Sequence, residues 1–351
     1  ATDLRKFAFD DMLHGKRYYD ADISPTGRYV LTHYIETRRD GASTYSSVLT
    51  DLKDGRTLLR TAEYLHGSWM PKTDELYFKR NTDGGTNLVL LDPATMSERT
   101  LATRLPEGSL TLSPTAKFAI ISREEDGPAT DGPLKQLYAP DDRQPGWRDR
   151  SALYLVDFSN GFSQRLTYGR ESVHLNDISP DGKRLLLTRN RHDLTRKPFD
   201  HVDVFEMYLE DGRVDTLLTD QAWLDDGCYS PDGKLLLFKG SPSAFEGIGS
   251  VLPKGEVAQS FDKRLYLYNP ATKQATALLK DFAPSVGEYD WNAGDGNIYM
   301  RCTDGYDETL WRLDPRTGRR FRFELPVTVI QRFSLSETRV PRAVFFGQTG
   351  T

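Results

Sequence analysis

The chain has 351 residues, a formal net charge of −5 and 38% apolar residues. This mildly acidic balance excludes the concentrated basic face that nucleic-acid recognition requires. No apolar run approaches the roughly 18 residues of a spanning helix, so neither a nucleic-acid partner nor a membrane span is expected. Cys228 and Cys302 fit no zinc spacing, and one pair cannot form a disulfide framework. They read as small buried residues.

The chain opens on Ala1 rather than Met, and the expectation is that something upstream was removed. Residues 1–17 read as a lead-in segment and residues 18–351 as one repeat domain. The repeat is a turn of the type Ser-Pro-x-Gly followed by a short apolar run. It first appears as Ser24-Pro25-Thr26-Gly27 before Tyr29-Val30-Leu31, then weakly as Met70-Pro71-Lys72-Thr73 before Leu76-Tyr77-Phe78. Ser113-Pro114-Thr115, Ser179-Pro180-Asp181-Gly182 and Ser230-Pro231-Asp232-Gly233 follow, each ahead of an apolar run. Asn292-Ala293-Gly294-Asp295-Gly296 and Leu335-Ser336-Glu337-Thr338 are the degenerate last copies. Between them runs a second phrase, a strand ending in an acidic or Asn turn, as in Leu90-Leu91-Asp92-Pro93 and Leu267-Tyr268-Asn269-Pro270.

Proline pre-sets φ at the second turn position and glycine closes the turn without a Cβ clash. The runs after it are too short for helices and rich in β-formers. Their near-continuous apolarity predicts middle strands covered on both faces. Copies recur every 43 to 66 residues, where uninterrupted propeller blades take about 40 to 50, so the two longest units carry insertions. The expected fold is an all-β β-propeller of about seven four-stranded blades, the last incomplete, because the seventh copy stops after its second strand. The whole protein is accordingly expected to be longer, with seven or eight blades. A two-sheet sandwich is the alternative architecture, but it does not require one phrase to recur in a fixed order.

Three stretches resemble a known family. Phe7-Ala8-Phe9-Asp10-Asp11-Met12-Leu13, followed by Asp22-Ile23-Ser24-Pro25, is similar to the start of the propeller in dipeptidyl peptidase IV-like members of the prolyl oligopeptidase family. The insertions Tyr138–Arg150 and Gly240–Gly249, the latter continuing to Phe261-Asp262-Lys263-Arg264, resemble segments of bacterial exported peptidases of that family. The resemblance implies a substrate-gating N-terminal propeller, a C-terminal α/β-hydrolase domain of the same polypeptide as its partner, short peptide substrates, some containing proline, a periplasmic or otherwise exported location, and room for a homo-oligomer. The hydrolase domain is absent from this chain. No Gly-x-Ser-x-Gly elbow occurs; Gly161-Phe162-Ser163-Gln164-Arg165 lacks the final glycine. The six histidines form no triad pattern, so no catalytic residue is assigned, and no cofactor or metal is expected.

Candidate substrate-binding residues are few. Glu124 and Glu125, beside Asp126, form an adjacent carboxylate pair of the kind that holds a peptide ammonium, though a solvated hairpin is the simpler account. Arg143, Arg148 and Arg150 flank Trp147 in the first insertion, where guanidinium forks suit peptide or protein carboxylates. Internal pairing is the competing explanation. In the second insertion Phe245, Gly247, Ile248 and Gly249 suit a loop that docks on another domain or packs on itself. The stretch His192–Asp203 mixes metal-capable residues without a zinc or calcium spacing and reads as a polar hairpin. A stand-alone binding propeller remains the alternative function. A propeller glycosidase with paired carboxylates is a third reading.

Overall fold

The computed structural model describes residues 13–349, except 63–64, 66, 128–132, 135–136, 138–142, 144–145, 147, 170, 254–255 and 257–258. Phe7–Met12, His66, Trp147 and most of the first insertion therefore lie outside the described residues. The chain is all β, built from consecutive antiparallel meanders. It divides into two compact units, residues 1–83, 87–101 and 288–351, and residues 84–86 and 102–287.

The first unit holds a sheet of β1 (Gly15–Ile23), β2 (Tyr29–Thr37), β3 (Ser43–Asp51) and β4 (Arg56–Thr61). It also holds most of a second, β5 (Gly67–Trp69), β6 (Leu76–Thr82), β7 (Gly85–Asp92) and β8 (Ser97–Leu105). Late in the chain it adds most of a sheet of β21 (Ser285–Trp291), β22 (Ile298–Asp304), β23 (Asp307–Leu313) and β24 (Arg320–Arg322), and then the hairpin β25 (Val329–Leu335) and β26 (Ala343–Gln348). Tyr29, Leu31 and Leu49 pack on Trp69, Leu76 and Val89 between the first two sheets. Tyr299 and Leu310 meet Ile330 and Phe333 of the hairpin.

The second unit stacks three sheets. They are β9 (Ser109–Leu112), β10 (Phe118–Glu125), β11 (Arg150–Asp157) and β12 (Ser163–Arg165); β13 (His174–Ile178), β14 (Arg184–His192), β15 (Asp200–Tyr208) and β16 (Val214–Gln221); and β17 (Leu224–Tyr229), β18 (Leu236–Gly240), β19 (Arg264–Asn269) and β20 (Gln274–Ala277). The run Leu185-Leu186-Leu187 shows why these strands are apolar throughout. Leu185 and Leu187 join Ile120 and Leu153 in one core, while Leu186 joins Leu236 and Phe238 in the next. Successive side chains of a strand face opposite ways, so one strand serves two interfaces.

The repeated serine is more than a turn former. Ser24, Ser113, Ser179, Ser230 and Ser336 are all buried. The Oγ accepts from the backbone N–H that re-enters the next strand, at 3.1 Å from Tyr29, 2.9 Å from Arg184, 2.9 Å from Leu235 and 2.8 Å from Arg342. Each loop is thus held from inside by a satisfied hydroxyl. The closing glycines take left-handed backbone, φ +77° at Gly27, +71° at Gly182 and +70° at Gly233. The third copy forces Ala116 into the same region at φ +57°.

The number of complete sheets corrects the expectation of about seven. Among the described residues six four-stranded meanders are complete, the last of them extended by β25 and β26 into a six-stranded sheet. The seventh copy of the turn contributes only β25 and β26, attached to β23 through a single parallel bridge between Glu308 and Val329. The turn phrase marks the entry to a sheet, so counting phrases overcounts finished sheets by one.

Candidate ligand-binding cavity

One position of the repeat, two residues before the buried serine or its equivalent, is occupied by Asp22, Ser68, Thr111, Asp177, Cys228, Asp290 and Ser334. It lies on the first strand of each meander, and its side chains stitch neighbouring sheets together. In the first unit the Asp22 carboxylate accepts from Ser68 Oγ at 2.7 Å and from Ser334 Oγ at 2.6 Å. Ser334 Oγ in turn accepts from the Ile23 N–H at 3.2 Å. In the second unit Asp177 repeats that link, accepting from the Tyr229 N–H of the next sheet at 2.7 Å and from its neighbour Ile178 at 2.8 Å.

In the first unit this row borders a cavity of about 510 Å³. Five carboxylates line it, Asp20, Asp22, Glu288, Asp290 and Glu337, against one guanidinium, Arg332. Arg332 Nε stands 3.3 Å from Asp20 Oδ1, and Glu288 is shared with Arg301 at 3.4 Å. Among the described residues neither Asp22 nor Asp290 forms such an ion pair. Burial raises the Asp22 pKa despite its two serine donors. Burial likewise pushes Asp290 up to about 6; Asn292 opposes the shift, and the charges of Glu337, Asp295 and Glu288 add to it. Glu337 is also raised by desolvation. Asp290 keeps some accessible surface, but it faces the cavity, where surrounding protein still strips much of the bulk water that would stabilise its charge.

The lining offers no acyl-transfer machinery. Ser68 and Ser334 both donate to Asp22. His33 uses Nδ1 on Ser47 Oγ at 2.9 Å. Among the described residues lining the cavity no Ser–His–acid relay is assembled. What the cavity offers is negative potential around a small space, with one fixed positive fork at its edge.

No family model and no curated protein matches the sequence. Solved structures do. Pyrococcus horikoshii acylaminoacyl peptidase superposes with a TM-score of 0.65 at 13% identity, over 94% of this chain and 51% of that one. The β-propeller domain of the Trilobed protease from Pyrococcus furiosus, which has an open velcro topology, gives 0.61 at 15% identity over 96% and 90%. The fold is a β-propeller. An oligogalacturonate lyase in complex with manganese matches it too, with a TM-score of 0.56 at 17% identity over 88% and 77%. The likeness is therefore one of fold, and a propeller by itself does not select a chemistry. The chain spans about half the length of the acylaminoacyl peptidase it matches.

The carboxylates and arginines singled out from the sequence as substrate-binding residues fall in the third propeller blade, in the second unit. Glu124 and Glu125 end β10 and sit opposite Ser151 and Arg150, so their side chains leave the sheet on opposite faces. Glu125 is engaged by Tyr154 Oη at 2.5 Å and Arg165 at 2.9 Å. The tyrosine hydrogen bond chiefly holds its carboxyl below the ordinary range. Arg150 donates to the Asp149 carbonyl at 2.8 Å. Arg148 is half-buried against Gly127, and Arg143 is exposed. Phe245 packs among Phe238, Tyr266 and Tyr268, in left-handed backbone with Glu246 and Gly247. The polar stretch His192–Asp203 forms the β14–β15 hairpin, where Arg189 and Arg191 share Asp203. Among the described residues no cluster could hold a metal ion.

None of the cavity residues was singled out from the sequence. Aligning the repeats on their serines would have shown aspartate recurring at one position in three of seven copies.

Proposed function

We propose that this chain is the substrate-gating and binding propeller of an exported serine peptidase of the dipeptidyl peptidase IV-like type, non-catalytic itself, and that its acid-lined cavity receives the amino end of short peptides. The observation that carries the reading is the cavity, in which two desolvated carboxylates form no ion pair among the described residues. A peptide ammonium brings three donors and a positive charge. It would supply the counter-charge that the ion pairs of the described residues do not give Asp22 and Asp290. Likeness of fold to peptidase propellers supports the assignment, as do the family-like insertions, which also support periplasmic export. The nucleophile belongs, on this reading, to an α/β-hydrolase domain of the same polypeptide. Arg143, Arg148 and Arg150, in the first insertion, are proposed to face that domain or the substrate, and Glu124 and Glu125 to contribute there.

Calorimetry with trialanine and N-acetyl-trialanine tests the cavity. Acetylation removes the ammonium and should weaken binding at least about tenfold, the worth of a charge-assisted hydrogen bond. Equal affinities would overturn the reading. A parent reading frame with no nucleophile elbow after Thr351 would overturn the peptidase assignment.

A further inference from the structure

The cavity is acidic but not uniformly so. Arg332 is the one guanidinium lining it. Its Nε stands 3.3 Å from Asp20 Oδ1, and its side chain stays 54% exposed. A guanidinium is a planar fork, the geometry that grips a carboxylate at two points. Arg332 lies two residues before Ser334 on β25, and Ser334 Oγ is in contact with Asp22 at 2.6 Å. At about 3.3 Å per residue, its Cα is some 7 Å along the strand from the carboxylate row. The side chain is close enough to bear on the ionisation of Asp22. Positive and negative groups thus line one cavity.

We propose that the cavity binds short peptides as zwitterions, with Arg332 receiving the free C-terminal carboxylate while Asp22, Asp290 and Glu337 hold the free amino end. The inference rests on the reading that the cavity takes peptide amino termini and adds the second end. It makes the site a ruler. Two or three extended residues at about 3.3 Å each reach about 7 to 10 Å from end to end. A longer chain must carry its carboxylate past the fork, and a blocked C-terminus leaves the guanidinium with Asp20 alone. The preferred ligands are then free di- and tripeptides, which are the products of peptide cleavage as well as small substrates.

The test compares trialanine, trialanine amide and N-acetyl-trialanine on the full chain by calorimetry, with the variant Arg332→Gln beside the native protein. Amidation should weaken binding to the native protein by roughly ten- to a hundredfold. Arg332→Gln should lose the same factor for trialanine and become indifferent to amidation. If amide and free acid bind the native protein equally while acetylation abolishes binding, the carboxylate assignment is wrong and the amino-end reading stands. If acetylation has no effect, the reading beneath it fails as well. Absence of trialanine binding at millimolar concentration overturns both. Should Arg332→Gln fail to fold, the acid–amide comparison on the native protein decides alone.

Discussion

Replacing Asp290 by asparagine keeps the shape of the side chain and removes its charge, and the structure gives the sign of the result at each pH. Asp290 titrates at about 6, against an ordinary 3.8, because burial disfavours the carboxylate and neighbouring acids add to that. The folded state therefore holds this proton more tightly than the unfolded chain. The resulting stabilisation is fully present below about pH 3.8 and is lost as pH rises through about 6. A gap of about two pKa units corresponds to about 3 kcal/mol. Above pH 7 the native protein bears that cost and Asp290→Asn does not. Allowing about 1 kcal/mol for a weakened hydrogen bond with Asn292, the variant should be more stable than the native protein by about 2 kcal/mol at pH 8. At pH 4 it should be equal or slightly less stable. Urea unfolding followed by tryptophan fluorescence at both pH values measures the difference. At about 2 °C per kcal/mol for a chain of this size, thermal melts should move by about 4 °C. An Asp290→Asn variant destabilised by the same amount at pH 4 and pH 8 would refute the argument that desolvation governs this carboxyl.

Three further outcomes follow from the same geometry. Ala116→Gly relieves a left-handed alanine at φ +57° and should stabilise by about 1 kcal/mol in chemical denaturation; a loss of stability would mean that the turn is not strained. Ser334→Ala leaves the Ile23 N–H without its acceptor and Asp22 without one donor. It should cost about 1–3 kcal/mol, and a change below about 0.5 kcal/mol, the level of an ordinary surface substitution, would show that the row of side chains does not tie the sheets together. The chain alone should not hydrolyse peptidyl-proline substrates; turnover that a serine-directed inhibitor abolishes would contradict the absence of a relay.

The sheets were legible because their signal is local. A serine-proline turn and the apolar run after it lie within about ten residues, and tertiary packing had only to agree with them. The buried role of the serine was not legible, since a turn hydroxyl looks the same in sequence whether it meets water or a backbone N–H. The cavity was harder still. Asp22, Asp290 and Arg332 come from opposite ends of the chain, and no spacing rule joins residues that meet only when sheets stack. The adjacent pair Glu124-Glu125 shows the converse. Closeness in sequence drew notice, yet on β10 neighbouring side chains diverge, and Glu125 already answers to Tyr154 and Arg165. The separation of Arg332 from the acids could not be anticipated either, because β25 belongs to the copy of the repeat that forms a hairpin and no sheet of its own.

In the second unit the two longest connections each join the second and third strands of a meander: 126–149 between β10 and β11, and 241–263 between β18 and β19. Segments spliced in at such a corner disturb no ladder of backbone hydrogen bonds, and each doubling of their length costs only about 0.6 kcal/mol in closure entropy. That margin is where the molecule can enlarge or trade its outward features while the packed framework beneath stays as it is.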